Sequence, residues 1–273
     1  MELTEDQFIT QVMKHLFRSR GIDMSGYSES FVMRAIRKRL GRTGLQDHST
    51  YLRTLIHSEE ETNQLLATLS INVTEFFRDG GAFEAFSEKV VRPLLLFKAA
   101  EGGVLRMWSA GCATGQEAYT LAICLAEELK RLPEESVPIA SVTGTDISEA
   151  ALAKASSGLY TKEEVRGVPD KILAEYFVRR GPSYEVSQTL ARYVRFAREN
   201  LLDAPTQKYY DAVVCRNVLI YFSRKMHTEV VNHLYGSLRR GGYLMLGRTE
   251  TLIGAPRTSF EVVDLENRIL RKV

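Results

Sequence analysis

Apolar positions fall three and four apart through roughly the first 70 residues. In FITQVMKHLFRSRG, SESFVMRAIRKRLGR and STYLRTLIHSEEETNQLLATL this spacing predicts three helices. Thr4 followed by Gln7 reads as a capping box for the first of them, and Gly21 closes it. EAFSEKVVRPLLLFKAAEGG predicts a further helix, kinked at Pro93. From Val104 the pattern changes. Val104–Trp108 predicts a short strand, followed by a Gly-rich turn with Gly111 and Gly115 and a helix from about Gln116 to Leu132 that stops before Pro133. PIASVTGTDIS predicts a second strand with Asp146 at its C-terminal end, SEAALAKASSGLY a helix, and YYDAVVCRNVLIYF a buried strand ending near Asn217. SRKMHTEVVNHLYGSLRR predicts a helix capped by Ser223 and closed by Gly241-Gly242, and YLMLGRTETL and FEVVDLENRILRKV finish with two strands. Residues 147–200 interrupt the alternation: a Gly181-Pro182 turn between Tyr176–Arg179 and Tyr184–Val186, with Tyr193–Ala197 beyond, predicts a small antiparallel excursion. The whole predicts an α/β fold preceded by a small helical domain.

Composition narrows the function classes. A chain of 273 residues, 44% hydrophobic, can bury one large core and a smaller one. Net charge is only +2, so no global field marks a nucleic-acid binder. Cys112, Cys124 and Cys215 are odd in number, widely spaced and set in apolar sequence, which points to reduced, buried thiols and away from a disulfide frame or a zinc site. The start, MELTEDQFIT, lacks a basic segment followed by an apolar run, and no stretch approaches the roughly 18 apolar residues of a membrane span. A soluble, cytoplasmic protein is expected. None of His15, His48, His57, His227 and His233 falls in a candidate site motif, so all five are read as structural or surface residues.

The candidate chemistry centres on RMWSAGCATGQEAYT. In an open α/β sheet, a Gly-rich turn between a strand and a helix lets a ligand approach the helix N-terminus. An acid at the end of the second strand, here Asp146, is where ribose hydroxyls are gripped. The turn is GCATG rather than G-x-G-x-x-G, and Glu117 lies just inside the helix, where a pyrophosphate would meet a carboxylate. A positively charged or phosphate-free nucleoside such as S-adenosylmethionine suits the site better than a dinucleotide. Upstream, SINVTEFFRDGGAF places Asn72, Thr74 and Arg78 around Phe76 and Phe77; helical spacing would put Thr74 and Arg78 on one side, where arginine can hold a carboxylate. In the second helix Arg34, Arg37, Lys38, Arg39 and Arg42 follow one another with no acid between Phe31 and Gln46. This is either a surface for an acidic partner or a solvated helix face.

NVTEFFRD, WSAGCATGQEAYTLAI, TGTDIS, FARENL, CRNVLIYF and GGYLMLG, in this order and spacing, resemble the chemotaxis receptor methyltransferases, the CheR family. The resemblance covers essentially the whole chain. It implies a helical N-terminal domain at 1–75, a linker helix at 76–98, and a class I (Rossmann-like) methyltransferase domain at 99–273 with an antiparallel β-subdomain inserted at about 172–198. It also implies methyl transfer from S-adenosylmethionine, leaving S-adenosylhomocysteine, to glutamate side chains of bacterial chemoreceptors, with no metal.

By the same resemblance Asn72, Thr74 and Arg78 form the first cofactor-contacting segment, with Arg78 as partner of the donor's carboxylate. Gly111 belongs to the Gly-rich turn, Glu117 matches the acid after it, and Asp146 the ribose-binding acid. Asn200 and Leu201 match the pair flanking the adenine, and Asn217 and Val218 the floor near the sulfonium. Tyr221, four residues after Asn217, is a candidate for orienting the acceptor or a packed aromatic. Two positions depart from the pattern: Gly247-Arg248-Thr249-Glu250 stands in place of Gly-His-Ser-Glu, and Gln116 in place of a second Glu. Expected partners are the helical region of chemoreceptors, through the basic helix Phe31–Arg42, and a receptor C-terminal tail at the β-subdomain. Neither nucleic acid nor membrane insertion is expected, and the protein is expected to be a monomer. The alternatives are an S-adenosylmethionine-binding adaptor and a methyltransferase of another acceptor; the chain contains no Pro-Pro of the kind amino-methylating enzymes carry.

Overall fold

The computed structural model describes residues 3–20, 24, 26–45, 47–69, 74–204, 206–252 and 259–273. Contacts divide the chain into two units, residues 1–71 with 220–227, and residues 72–219 with 228–273.

The first unit is helical: α1 (Glu5–Arg20), α2 (Glu29–Thr43), α3 (His48–His57) and α4 (Glu59–Leu69). The capping box is formed: Gln7 N–H donates to Thr4 Oγ1 at 3.3 Å and Thr4 N–H to Gln7 Oε1 at 3.2 Å. The expected third helix is divided at Ser58, whose hydroxyl accepts the Glu61 N–H at 3.0 Å and so starts a new helix. Phe8, Val12 and Leu16 of α1, Phe31, Val32 and Ile36 of α2, Tyr51 and Leu55 of α3 and Leu65 of α4 make the core. Residues 220–227 belong to this unit: Ser28 N–H donates to the Tyr221 carbonyl at 2.9 Å, and the Tyr221 ring lies 4.8 Å from that of Phe31.

Two of the five basic residues expected to be uncompensated are paired. Arg39 is buried, and its guanidinium reaches Glu61 through Nε–Oε1 at 2.9 Å and Nη2–Oε2 at 2.6 Å, with the Tyr51 hydroxyl donating to the same carboxylate at 2.9 Å. Arg37 meets Glu5 at 3.1 Å. The acids come from other helices, so no window along α2 could reveal them.

The second unit is built on a seven-stranded sheet ordered β6-β2-β1-β7-β8-β10-β9. The strands are β1 (Val104–Ala110), β2 (Ile139–Asp146), β6 (Val194–Arg198), β7 (Tyr210–Cys215), β8 (Leu238–Leu246), β9 (Phe260–Asp264) and β10 (Ile269–Lys272). Five run parallel and the last two join antiparallel. Val213 and Val214 pair with Trp108 and Ser109, which in turn pair with Thr143 and Gly144, so apolar residues fill the middle strands on both faces. The helices are α5 (Ala82–Phe86), α6 (Arg92–Glu101), α7 (Gln116–Leu129), α8 (Glu149–Ser157), α9 (Asp170–Tyr176), α10 (Gln188–Ala191) and, from Thr228 onward, α11 (Arg224–Ser237), whose first turn is counted with the first unit. Between α5 and α6 the chain stays helical through a π-helical turn, Ser87–Val91, which relieves the clash and lost hydrogen bond Pro93 would impose.

Three expectations change. A small antiparallel sheet, β3-β5-β4, takes in β3 (Leu159–Thr161), β4 (Phe177–Arg180) and β5 (Ser183–Val186), whereas Val194–Arg198 joins the main sheet beside β2. Alternation marks β6 as extended, but its partner 50 residues away is a tertiary choice. Helix α11 stops at Ser237, and Gly241-Gly242 lie within β8, where Gly241 has φ 74. Thr74 and Glu75 are irregular and residues 76–81 form turns rather than helix, with Phe77 at φ 53 and Asp79 at φ 67.

Candidate active site

Strand β1 lies between β2 and β7, so the order of the sheet reverses there, and the crevice beyond the C-terminal ends of these strands is where an open α/β sheet holds a ligand. The turn after β1 is fixed to the end of β2: the N–H groups of Gly111 and Cys112 both donate to the Thr145 carbonyl at 2.8 Å, and the Ala113 N–H donates to Asp146 Oδ2 at 2.9 Å. Asp146 Oδ1 accepts the Ser148 N–H at 2.9 Å, and the Gly115 N–H donates to the Cys112 carbonyl at 2.9 Å. These four turn N–H groups are therefore spent inside the protein, so the turn does not form a phosphate cradle of free amides. Gly115, at φ 95, has no room for a side chain: a Cβ would lie 2.8 Å from that of Ala155 and 3.0 Å from the Tyr160 hydroxyl.

Glu117, on the first turn of α7, accepts the Ser109 hydroxyl at 2.8 Å. Burial pushes its carboxyl up to about 7, opposed by the Arg216 guanidinium, the Ser109 bond and Arg78, and reinforced by Glu250. Arg216 follows β7. Its side chain is buried, donates to the Arg78 carbonyl at 3.0 Å and to the Asp79 carboxylate, and lies 5.1 Å from the centre of the Phe83 ring. Arg216 thereby anchors the Thr74–Arg78 segment to the end of β7; Thr74 and Arg78 are both half-buried. Asn72 lies outside the described residues.

The Glu199 N–H donates to the Asp146 carbonyl at 3.1 Å, which sets Asn200 and Leu201 beside the end of β2. The Asn200 side chain accepts the Leu202 N–H at 3.1 Å, and the Leu201 carbonyl accepts from His233 Nδ1 at 3.2 Å. On the far side of β1, Asn217 has φ 59, and Val218 lies against Gly111. The fold thus brings Gly111, Glu117, Asp146, Asn200, Leu201, Asn217 and Val218 to the ends of β1, β2, β6 and β7, with the Arg78 segment joined through Arg216. Tyr221 falls in the first unit, with its ring on Phe31.

Sequence reasoning missed Arg216 and Glu250. Arg216 sits inside CRNVLIYF beside the chosen Asn217, and its burial was the missing signal. Glu250 ends the Gly-Arg-Thr-Glu segment, in which nothing local marks its carboxylate as an acceptor for distant main-chain N–H groups.

Two family models match the chain: "CheR methyltransferase, SAM binding domain" over residues 72–269 and "CheR methyltransferase, all-alpha domain" over residues 8–70. The chain belongs to the CheR methyltransferase family. A chemotaxis protein methyltransferase of Escherichia coli is 31% identical over 256 residues, 90% of this chain and 84% of that protein. One from Borreliella burgdorferi is 28% identical over 261 residues, 93% of this chain and 91% of that protein. An "Uncharacterized 104.1 kDa protein in hypE 3'region" of Rhodobacter capsulatus is 34% identical over 259 residues, 95% of this chain but only 27% of that longer protein. As a member of this family the chain is an S-adenosylmethionine-dependent methyltransferase of the chemotaxis class.

The residues at the crevice fit that cofactor. Arg216 Nε and Asn217 Oδ1 are buried without a hydrogen-bond partner among the described residues, and the Glu117 carboxyl, raised by burial, would be eased by a cation. The cysteines offer no rival chemistry: all three are free and buried, with burial pushing the thiols up, Cys124 to about 12. Among the described residues no helix is long and apolar enough to cross a membrane.

Proposed function

We propose that the chain methylates glutamate side chains of bacterial chemoreceptors, giving glutamyl methyl esters. The observation that carries this reading is the set of proposed cofactor residues at the ends of β1, β2 and β7 in a chain that matches CheR methyltransferase domain models over residues 8–70 and 72–269.

S-adenosylmethionine supplies an electrophilic methyl group on a sulfonium. The acceptor glutamate is already ionised near neutral pH, so the protein need not supply a general base. Its work is placement, which in the best intramolecular cases lowers a barrier by roughly 7 to 11 kcal/mol. Asp146 would take the ribose hydroxyls while its bond from the Ala113 N–H holds the Gly-rich turn; Glu117 would take the cationic amino group, Arg78 the carboxylate, and Asn200 and Leu201 the adenine. Thr74 and Asn72 would complete the first segment, and Asn217 and Val218 would line the floor beside the sulfonium. Tyr221 is assigned to acceptor orientation on its place in the sequence motif alone. Receptor docking would fall to the exposed charges of α2, and a receptor tail would add a strand at an edge of the β3-β5-β4 sheet.

Calorimetric titration with S-adenosylhomocysteine, beside an Asp146→Ala variant, followed by methyl transfer to receptor-containing membranes, tests the proposal. Binding lost in the variant and a base-labile methyl ester on the membranes are expected. Binding without transfer would point to an adaptor or another acceptor, and no binding would overturn the reading of the turn.

A further inference from the structure

The Glu250 carboxylate is buried, 2% exposed, and takes its hydrogen bonds from main-chain groups of two segments. Oε2 accepts the N–H of Gly247 at 2.7 Å and of Asn217 at 2.8 Å, and Oε1 accepts the N–H of Leu219 at 2.8 Å. The Glu250 N–H returns to the Gly247 carbonyl at 2.9 Å and closes the turn after β8. Capping that turn alone would need one acceptor. Two of the three donors instead come from the loop that follows β7, some thirty residues earlier in the chain.

The loop needs holding. Asn217 sits at φ 59, the left-handed region that non-glycine residues adopt at a cost. Its Oδ1 is buried without a donor among the described residues, and the next side chain, Val218, reaches the Gly111 position. Gly247 is fitted to the same clasp, since a Cβ there would lie 2.7 Å from Glu250 Oε2 and 3.0 Å from the Asn217 nitrogen. A carboxylate presents acceptors on both oxygens, whereas the amide of glutamine would turn an N–H₂ donor toward one of these N–H groups.

We propose that Glu250 is a positioning residue for methyl transfer: by accepting the Asn217 and Leu219 N–H groups it holds the loop in the conformation that sets Val218 against Gly111. The inference rests on the assignment of Asn217 and Val218 to the site, and goes beyond it in naming what keeps them there. Charge-assisted bonds to three amides in a dry setting make the clasp stiff. With both oxygens taken up by main-chain N–H groups, Glu250 acts through the loop.

The test uses Glu250→Gln and, from the other side of the clasp, Gly247→Ala in the full chain. With receptor-containing membranes, kcat is expected to fall tenfold or more while the KM for S-adenosylmethionine changes less than threefold. The amide resonances of Asn217 and Leu219 should shift without any cofactor present, and S-adenosylhomocysteine should still bind within about fivefold of wild type. A merely structural role would lower the melting temperature and leave kcat intact well below it. The proposal is overturned if kcat in both variants equals that of wild type, or recovers fully on cooling far below the melting temperature. Should the wild type itself bind no S-adenosylhomocysteine, the site assignment falls and the clasp has nothing to position; wild-type activity with unaffected variants sinks the clasp alone.

Discussion

Val218 Cγ2 stands 2.7 Å from the point where a Cβ on Gly111 would lie. Two segments a hundred residues apart therefore meet across the end of β1, and the contact exists only because position 111 has no side chain. Gly111 also has φ 79, which a substituted residue would adopt only under strain. Gly111→Ala is expected to destabilise the protein by about 1–3 kcal/mol in urea titrations. Affinity for S-adenosylhomocysteine should fall tenfold or more, because strain at Gly111 displaces the turn whose Ala113 N–H is tied to Asp146, the proposed ribose-binding acid. Unchanged affinity by calorimetry would mean that the cofactor does not depend on this meeting point.

Glu117 makes stability depend on pH. Its carboxyl is raised from an ordinary 4.5 to about 7, so between these values the folded state holds a proton that the unfolded state has released. Its contribution is fully present below pH 4.5 and declines as pH rises to about 7, a loss of about 3 kcal/mol at most. Glu117→Gln should flatten this slope in thermal melts between about pH 5 and 7. Binding of a cationic ligand beside Glu117 would restore the anion and release a proton, visible in wild-type calorimetry as a dependence on buffer ionisation enthalpy and absent in the variant.

Arg39 and Glu61 form a buried pair in the helical unit. Burial pushes the Glu61 carboxyl up, but hydrogen bonds from Arg39 and Tyr51 outweigh it and hold the group below the ordinary carboxylate range. Its stabilisation is therefore present above the ordinary value and lost as pH falls toward the depressed one. Arg39→Ala leaves Glu61 buried and unpaired and should cost about 3–5 kcal/mol in chemical denaturation, whereas replacing both partners with apolar residues of similar volume should cost far less. Equal losses in the two variants would refute the account.

The basic surface of α2 is smaller than its sequence suggests. Arg34, Lys38 and Arg42 are exposed, stand four apart on one stripe and have no acid within salt-bridge distance among the described residues. Charge reversal of these three is expected to slow receptor methylation at least tenfold at low salt, with little effect at high salt and none on S-adenosylhomocysteine affinity. Adding Arg39→Glu would instead unfold the helical unit. An unchanged methylation rate at low salt would remove α2 from receptor docking.

What the sequence by itself determined is what local spacing encodes. The Thr4–Gln7 capping box, the strand–turn–helix around Gly111 and the acid at the end of the second strand all depend on neighbours within a few positions. The resemblance in six ordered motifs supplied the family. Tertiary structure alone decided which distant groups share a partner: Val194–Arg198 pairs with β2 rather than with the nearby hairpin, Glu61 answers Arg39, Arg216 reaches the Arg78 carbonyl, and Glu250 takes up the amides of Asn217 and Leu219. A buried polar group must find a partner wherever the fold brings one, and sequence separation does not enter that requirement. Periodicity could therefore show where a strand or helix runs, but not that the Glu250 carboxylate closes on a loop thirty residues upstream.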